Sequence, residues 1–360
     1  MEQALKGRGV GANPPGRFAR QVGQAVDDGW YQECVPDSIA TEVRAEAARS
    51  VITHNESPDI PFAQSINPYR GCEHGCVYCY ARPSHAYVDL SPGIDFETKL
   101  FYKADAARVL RAELARKGYR CQPIMLGANT DPYQPVEKRL RVTRELLEVL
   151  AQARHPVMVI TKGTLILRDL DLLQELARQN LARVTVSLTT LDPELKRTLE
   201  PRAASAQGRL RVIGALAEAR VPVGVLTAPM IPAINDAELE RLLEAAAQAG
   251  ATNAGYVLLR LPHEVKQLFR DWLEQHHPLR AAHVMSLIQQ ARGGRDNDPR
   301  FGARMRGEGP WAAMLRERFR LACRRLGLNS ARAAELDTKA FRPPGGGGQL
   351  EFQLQESIST

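Results

Sequence analysis

Between residues 65 and 259, short apolar runs alternate with amphipathic stretches, and this alternation leaves few folds open. Strands are expected at 65–69, 124–128, 157–161, 184–188, 223–227 and 256–259. Helices are expected between them at 104–117, 136–153, 170–179, 205–219 and 236–249. Asp236, ahead of Ala237, Glu238 and Leu239, reads as the N-cap of the last helix, and Gly250 as its stop. Six strands separated by helices predict βαβ units on one parallel sheet, open or curled into a barrel. Ligands and chemistry then belong at the C-terminal ends of the strands.

The flanks read differently. Residues 1–60 form an N-terminal extension of low periodicity, expected to be partly disordered, with one short helix over 41–50. Gly7, Gly9 and Gly11 spell a GxGxG, but it follows no strand and opens no helix, so a dinucleotide-binding reading is set aside. The α/β core spans 61–262. A mostly helical, basic region follows at 263–342, with Trp272, Leu287, Trp311 and Leu321 among its apolar positions. The tail at 343–360 opens Pro-Pro-Gly-Gly-Gly-Gly and reads as flexible.

No apolar run approaches the ~18 residues of a membrane helix. The first residues lack the apolar stretch of a secretory signal, so the expected compartment is the cytoplasm and no membrane partner is expected. The formal charge is +7, and it is unevenly placed. From Arg260 to Arg342, 17 Lys and Arg face 9 Asp and Glu, while the rest of the chain carries 31 against 32. Between Arg292 and Arg325 there are ten arginines and four acids, with Phe301, Trp311 and Phe319 interleaved. Nucleic-acid binding uses these residue types, for phosphates and for base stacking. A solvated basic helix face is the plain alternative. Arg316, Arg320 and Arg324 share one helical face.

Six cysteines are present: Cys34, Cys72, Cys76, Cys79, Cys121 and Cys323. Three of them fall in Asn67-Pro-Tyr-Arg-Gly-Cys72-Glu-His-Gly-Cys76-Val-Tyr-Cys79-Tyr80, the loop after the first core strand. The spacing is C-x3-C-x2-C. Three thiolates can hold three irons of a [4Fe–4S] cluster and leave the fourth open to a small ligand, whereas ferredoxin-type carriers bring four cysteines. Gly71 and Gly75 let the loop wrap closely around an inorganic core. Two alternatives remain: structural zinc completed by His74 or His85, and buried thiols without metal. Paired C-x2–4-C knuckles, the usual zinc arrangement, are missing from the sequence.

The motif C-x3-C-x-Tyr-C at the end of the first strand of a repeated β/α pattern resembles the radical S-adenosylmethionine (SAM) superfamily, over about residues 62–260. Within it, Asn67-Pro-Tyr-Arg-Gly-Cys72, Cys79-Tyr-Ala-Arg-Pro83 and Gly127-Ala-Asn-Thr-Asp-Pro-Tyr-Gln-Pro-Val-Glu137 are similar to the spore photoproduct lyase-like branch, whose members carry the name "DNA repair photolyase". The resemblance implies a partial (β/α)6 barrel with a mostly helical C-terminal extension. It implies that Cys72, Cys76 and Cys79 hold a [4Fe–4S] cluster, and that SAM is cleaved reductively to a 5′-deoxyadenosyl radical that abstracts hydrogen from a substrate. It further implies an electron donor such as flavodoxin or ferredoxin.

On the same resemblance, Tyr78 packs near the adenine, and Thr130 and Asp131 hold the SAM amino group. Lys162 meets the SAM carboxylate, and Ser187 bonds ribose or carboxylate. Glu200 and Arg202 face the pocket, while residues 228–236 and the strand ending at Arg260 wall the adenine. Each has a plainer counterpart: core filling for Tyr78, a turn for Asp131-Pro132, a solvated lysine and a strand-end hydroxyl. One departure matters. Lyases of this branch carry a cysteine at the second strand's end, where this chain reads Ala128-Asn129-Thr130-Asp131. Cys121 begins that strand, some ~25 Å from Asn129 at ~3.3 Å per residue. Photoproduct lyase activity proper therefore stands as an alternative, beside a non-catalytic zinc- and nucleic-acid-binding protein.

Overall fold

The computed structural model describes residues 7–19, 39–331 and 334–345. Residues 1–6 and 20–38 of the expected N-terminal extension lie outside the described residues, as does the expected flexible tail from 346 on. Ten strands form among the described residues: β1 Glu42–Glu46, β2 Ile52–His54, β3 Gln64–Ile66, β4 Tyr69–Arg70, β5 Lys99–Lys103, β6 Ile124–Leu126, β7 Val157–Thr161, β8 Ala182–Ser187, β9 Val223–Met230 and β10 Asn253–Leu258. The main sheet runs β10-β9-β8-β7-β6-β3-β2. Its six expected strands are parallel and stand in chain order, from β3 at one side to β10 at the other. β2 adds to β3 in antiparallel register.

The aliphatic runs form strands because both faces of this sheet are covered. Val157, Val159, Val184, Val186, Val223 and Val225 are almost completely buried. Helices Val142–Gln152, Leu170–Arg178, Ala206–Glu218 and Leu239–Gln248 connect successive strands and bury Leu146, Leu176, Leu216 and Leu243 in the same core. A second cluster joins Cys76, Val77 and Tyr78 of the cysteine loop to Phe269, Trp272 and Ile288 of helices Val265–His276 and Pro278–Gln290. The C-terminal helical region thus packs directly on that loop.

Three expectations need correction. The stretch 41–50 is not helical: Glu42–Glu46 is a strand, paired in parallel with β5 in a small sheet β1-β5-β4. The open edge of β5 offers five residues a ladder that an isolated helical turn cannot match. The helix at 136–153 is broken at Arg141, whose φ is 58°, because the Glu137 carboxylate accepts the Thr143 N–H at 3.1 Å and caps a new helix there. Asp236 is not an N-cap. It opens a short 3-10 turn ahead of Leu239–Gln248, and its carboxylate accepts Trp311 Nε1 at 3.1 Å. Ser205, by contrast, caps Ala206–Glu218 through Gly208 N at 3.1 Å.

Among the described residues, no helix is long and apolar enough to cross a membrane.

His155 provides a pH test of this packing. Its ring is buried beside Phe341, 5.3 Å between centroids, with Nε2 2.8 Å from the Tyr119 hydroxyl. Burial pushes its pKa down to about 4, against 6.5 in an unfolded chain. The folded state therefore keeps the ring neutral, and the unfolded state takes the proton first. Stability held at neutral pH should fall by about 3 kcal/mol as pH drops from 6.5 toward 4. Urea unfolding of a His155→Gln variant should show a flatter profile across that window. A profile identical to the parent's would contradict the assignment.

Candidate metal centre and cofactor pocket

The three cysteines lie on the loop between β4 and β5, at the C-terminal end of β3. Cys72 and Cys76 are buried, Cys79 is nearly so, and none is in a disulfide. The loop's backbone is pinned from several sides. Cys72 N donates to Phe96 O at 2.9 Å, and Val77 N to Leu199 O at 3.1 Å. Gln134 takes Glu73 N on Oε1 at 2.9 Å and gives Nε2 to Gly71 O at 3.1 Å. The fully buried Arg82 donates Nε to Cys76 O at 2.9 Å and Nη1 to Gly93 O at 2.9 Å, while Nη2 pairs with Glu97 at 2.5 Å. Glu97 also accepts Gly9 N at 2.9 Å.

Two glycines permit that closeness. Gly75 has φ +67°, and a Cβ there would meet Glu97 Oε2 at 2.7 Å. A Cβ on Gly9 would sit 1.7 Å from Gly75 O. The N-terminal segment at Gly9 therefore serves as a backbone cover for the cysteine loop.

Burial raises all three thiol pKa values. For Cys72 the neighbouring Asp131 and the other two thiols add to the effect, and Cys76 is pushed up to about 12 by burial and by Glu200. A loop that buries three such donors together wants a cationic centre. The two histidines that could complete a zinc site are engaged elsewhere. His85 Nε2 lies 3.0 Å from Lys99 O and its ring packs edge-on against Phe96, while His74 Nδ1 faces Asp131 at 3.4 Å. Three thiols on one loop, with His74 and His85 already engaged, are a donor set that fits a cluster held at three irons.

Around the loop the strand ends assemble a polar wall, with Glu200 at its hub. Its Oε1 accepts the Tyr78 hydroxyl and, at 2.8 Å, Thr189 Oγ1; its Oε2 is paired with Arg209. Arg209 also donates to Ser187 O at 3.1 Å. Burial alone would raise the Glu200 pKa, but the charges of Arg209 and Lys162 outweigh it and hold the carboxyl at about 2. Lys162 Nζ stands 4.0 Å from Glu200 and 5.7 Å from the centre of the Tyr78 ring. Tyr78, Lys162 and the Ser187 backbone, from three different segments, are thus brought together.

Thr130 and Asp131 lie nearby with their side chains committed. Thr130 Oγ1 donates to Tyr69 O at 2.8 Å. Asp131 accepts Tyr133 N at 2.9 Å, Thr161 Oγ1 at 2.6 Å and Lys162 N at 2.7 Å. The turn reading of Asp131-Pro132 is therefore realised, and the same carboxylate ties the end of β6 to the end of β7. Arg202 reaches Glu73 at 3.0 Å, on the outer side of the loop. Arg209 was not anticipated, and Arg82 and Gln134 entered only as members of the quoted motif stretches; their role as buried clamps carries no signal until their burial is known.

A family model for the Radical SAM superfamily matches residues 66–246, half of the chain. This chain belongs to the radical SAM superfamily. Uncharacterized proteins of Mycobacterium tuberculosis and Mycobacterium bovis are 38% identical to it over 279 residues, 73% of this chain and 82% of theirs. One from Methanocaldococcus jannaschii is 26% identical over 213 residues, 59% of this chain and 76% of its own. In fold, this radical SAM enzyme is similar to spore photoproduct lyase complexed with dinucleoside spore photoproduct, with TM-score 0.57 and 14% identity over 79% of this chain and 80% of that one. A [4Fe–4S] cluster and SAM are the superfamily's cofactors, and the loop's donor set suits the first of them.

The Arg82–Glu97 clamp is directly testable. Arg82→Met leaves Glu97 buried without its counter-charge and should cost about 3–5 kcal/mol in urea unfolding. Replacing both residues by apolar ones of similar size should recover most of that loss. A single variant as stable as the parent would contradict the clamp.

Proposed function

We propose that Cys72, Cys76 and Cys79 hold the cluster, with Tyr78, Thr130, Asp131, Lys162 and Ser187 forming the wall that faces SAM. When bound, these cofactors supply a one-electron cleavage of SAM whose 5′-deoxyadenosyl radical takes hydrogen from a substrate. The chain's residues bind, orient and keep water out. The observation that carries this reading is the convergence of the strand ends on the cysteine loop, with Lys162 aimed at Tyr78 and Glu200. Its loose 4.0 Å pairing leaves ammonium donors for a ligand carboxylate, whereas Glu200 is already saturated by Tyr78, Thr189 and Arg209. Asp131 and Thr130 act through position: they fix the strand ends so that backbone carbonyls can accept the SAM ammonium.

Anaerobic reconstitution should load about four irons per chain, and a Cys72/Cys76/Cys79→Ala variant essentially none. One zinc and no iron in the native protein would overturn the reading. Lys162→Ala should weaken SAM binding about tenfold with iron content unchanged, as expected for a lost charge-assisted hydrogen bond. Unaltered SAM affinity would remove Lys162 from the site.

The substrate class follows from charge. We infer a polyanion, nucleic acid being the natural one, bound by the region between Arg292 and Arg325. The support is partial. Arg292 is buried, and Arg300, Arg304 and Arg318 pair with Asp298, Asp59 and Glu240. Trp311 is half-buried on Asp236 and Phe319 packs on Tyr256, which corrects the expectation that they stack bases; Phe301 stays exposed. Arg316 and Arg324 remain exposed and without ion pairs among the described residues, and Arg320 makes a surface pair with Glu317.

Photoproduct lyase activity proper has less support. Cys121 precedes β6, and Cys323 contacts Asn329, which bonds Ala254 at the start of β10. Both thiols belong to the strands' N-terminal side, away from the cysteine loop, and Cys34 lies outside the described residues. A soluble one-electron donor such as flavodoxin or ferredoxin and a cytoplasmic location complete the reading.

Single-stranded nucleic acid should bind with a log–log salt slope near −0.7 per phosphate contact. Neutralising Arg316, Arg320 and Arg324 should flatten that slope by about two units. No binding at low salt would remove the polyanion from the account.

A further inference from the structure

Beyond the C-terminal end of β10, Arg260 makes no ion pair among the described residues, and the carboxylates that act on it and on Arg292, Asp59 and Asp298, are paired with Arg304 and Arg300. Arg260 lies with its guanidinium 5.2 Å from the centre of the Tyr80 ring and Nη1 3.9 Å from the Met305 sulfur. Its buried Nε has no hydrogen-bond partner, and it makes no ion pair among the described residues. Arg292, buried behind it, spends its donors on carbonyls: Leu259 O at 2.7 Å, and Ala303 O and Arg304 O at 2.9 Å. Arg304 is different, being paired with Asp59 at 2.5 Å. Burial and then the Arg260 charge push the Arg292 pKa down to about 10, partly offset by Asp298.

Folded proteins neutralise buried charge, because desolvating an ion without a partner is costly. Arg260, partly exposed and without an ion pair of its own among the described residues, can take an anion from outside the chain. Its location says from where. Tyr80 directly follows Cys79, is 46% exposed, and bonds its hydroxyl to Ala128 O beyond the end of β6. The cysteine loop therefore carries one cation on each side of Cys79: Lys162 over Tyr78 and Arg260 over Tyr80.

We propose that Arg260 and Tyr80 form a subsite for a phosphate group of the substrate, with Arg292 supplying a second positive charge from behind. This rests on the reading that substrate is processed beside the cysteine loop. A guanidinium fork matches phosphate oxygens two at a time. The excess of arginines here over Asp59 and Asp298 suits a phosphate better than a monoanionic carboxylate. The exposed part of the Tyr80 ring gives the group attached to that phosphate an apolar surface.

The test is titration of inorganic phosphate into the cluster-loaded protein at constant ionic strength, followed by calorimetry and thermal unfolding. Phosphate should bind and raise the unfolding temperature. Arg260→Gln should weaken phosphate binding about tenfold or more, with Arg260→Lys between it and the parent. Iron content should not change. Equal phosphate affinity in Arg260→Gln overturns the proposal. Loss of SAM binding in that variant also overturns it, since Arg260 would then be a SAM contact. Acetate binding as tightly as phosphate does so too. Failure of the parent to bind SAM would sink the functional reading while leaving the phosphate site standing, so the two failures are distinguishable. A mononucleotide and a short single strand separate the sources of phosphate. Affinity that grows with length through Arg316, Arg320 and Arg324 indicates nucleic acid, and affinity that does not grow indicates a small phosphoester.

Discussion

Three thiols within eight residues are gathered on one largely buried loop, and the rest of the site depends on how that loop is held. The work is done by backbone hydrogen bonds to buried polar side chains. Arg82 fixes the carbonyl of Cys76, Gln134 clasps the loop from Gly71 to Glu73, and Glu97 joins Arg82 to the N-terminal cover at Gly9. Each of these groups is fully satisfied, which is the condition under which a buried polar network rigidifies a site instead of weakening it. A loop made rigid in this way holds its donors in place.

The parallel sheet then does the gathering. Because β3, β6, β7 and β8 stand side by side in chain order, residues just past each strand's end become neighbours although they are far apart in sequence. Glu200 converts that proximity into fixed geometry. It holds Tyr78 from the loop, Arg209 from helix Ala206–Glu218 and, more loosely, Lys162 from the end of β7. The cation left with unused donors is Lys162, while the carboxylates Glu200 and Asp131 are spent on structure. The division follows from pairing: a carboxylate held at about 2 by its neighbours is a fixed charge, and an ammonium paired only loosely at 4.0 Å is a binding group.

Much of this was legible in the sequence, for identifiable reasons. The six core strands follow from β-branched runs between amphipathic helices, and the cysteine spacing localised the centre to one loop. Edges and interruptions were not legible. Glu42–Glu46 is a strand because β5 has an open edge, and Arg141 breaks a helix because Glu137 is buried beside it; neither partner is visible locally. The basic region shows the same limit. Ten arginines between Arg292 and Arg325 read as one positive surface, yet Arg292 is internal and three others are paired with acids of the core or of nearby turns. Charge counts report composition, and only packing reports which charges face solvent.

The central claim is that three cysteines hold a cluster with one iron left open beside Lys162. Mössbauer spectroscopy of the iron-loaded protein with and without SAM tests it most directly. The account predicts that one iron in about four changes its isomer shift when SAM is added, and that the change needs a far higher SAM concentration in Lys162→Ala. A spectrum that SAM leaves untouched, with all irons equivalent, would contradict it.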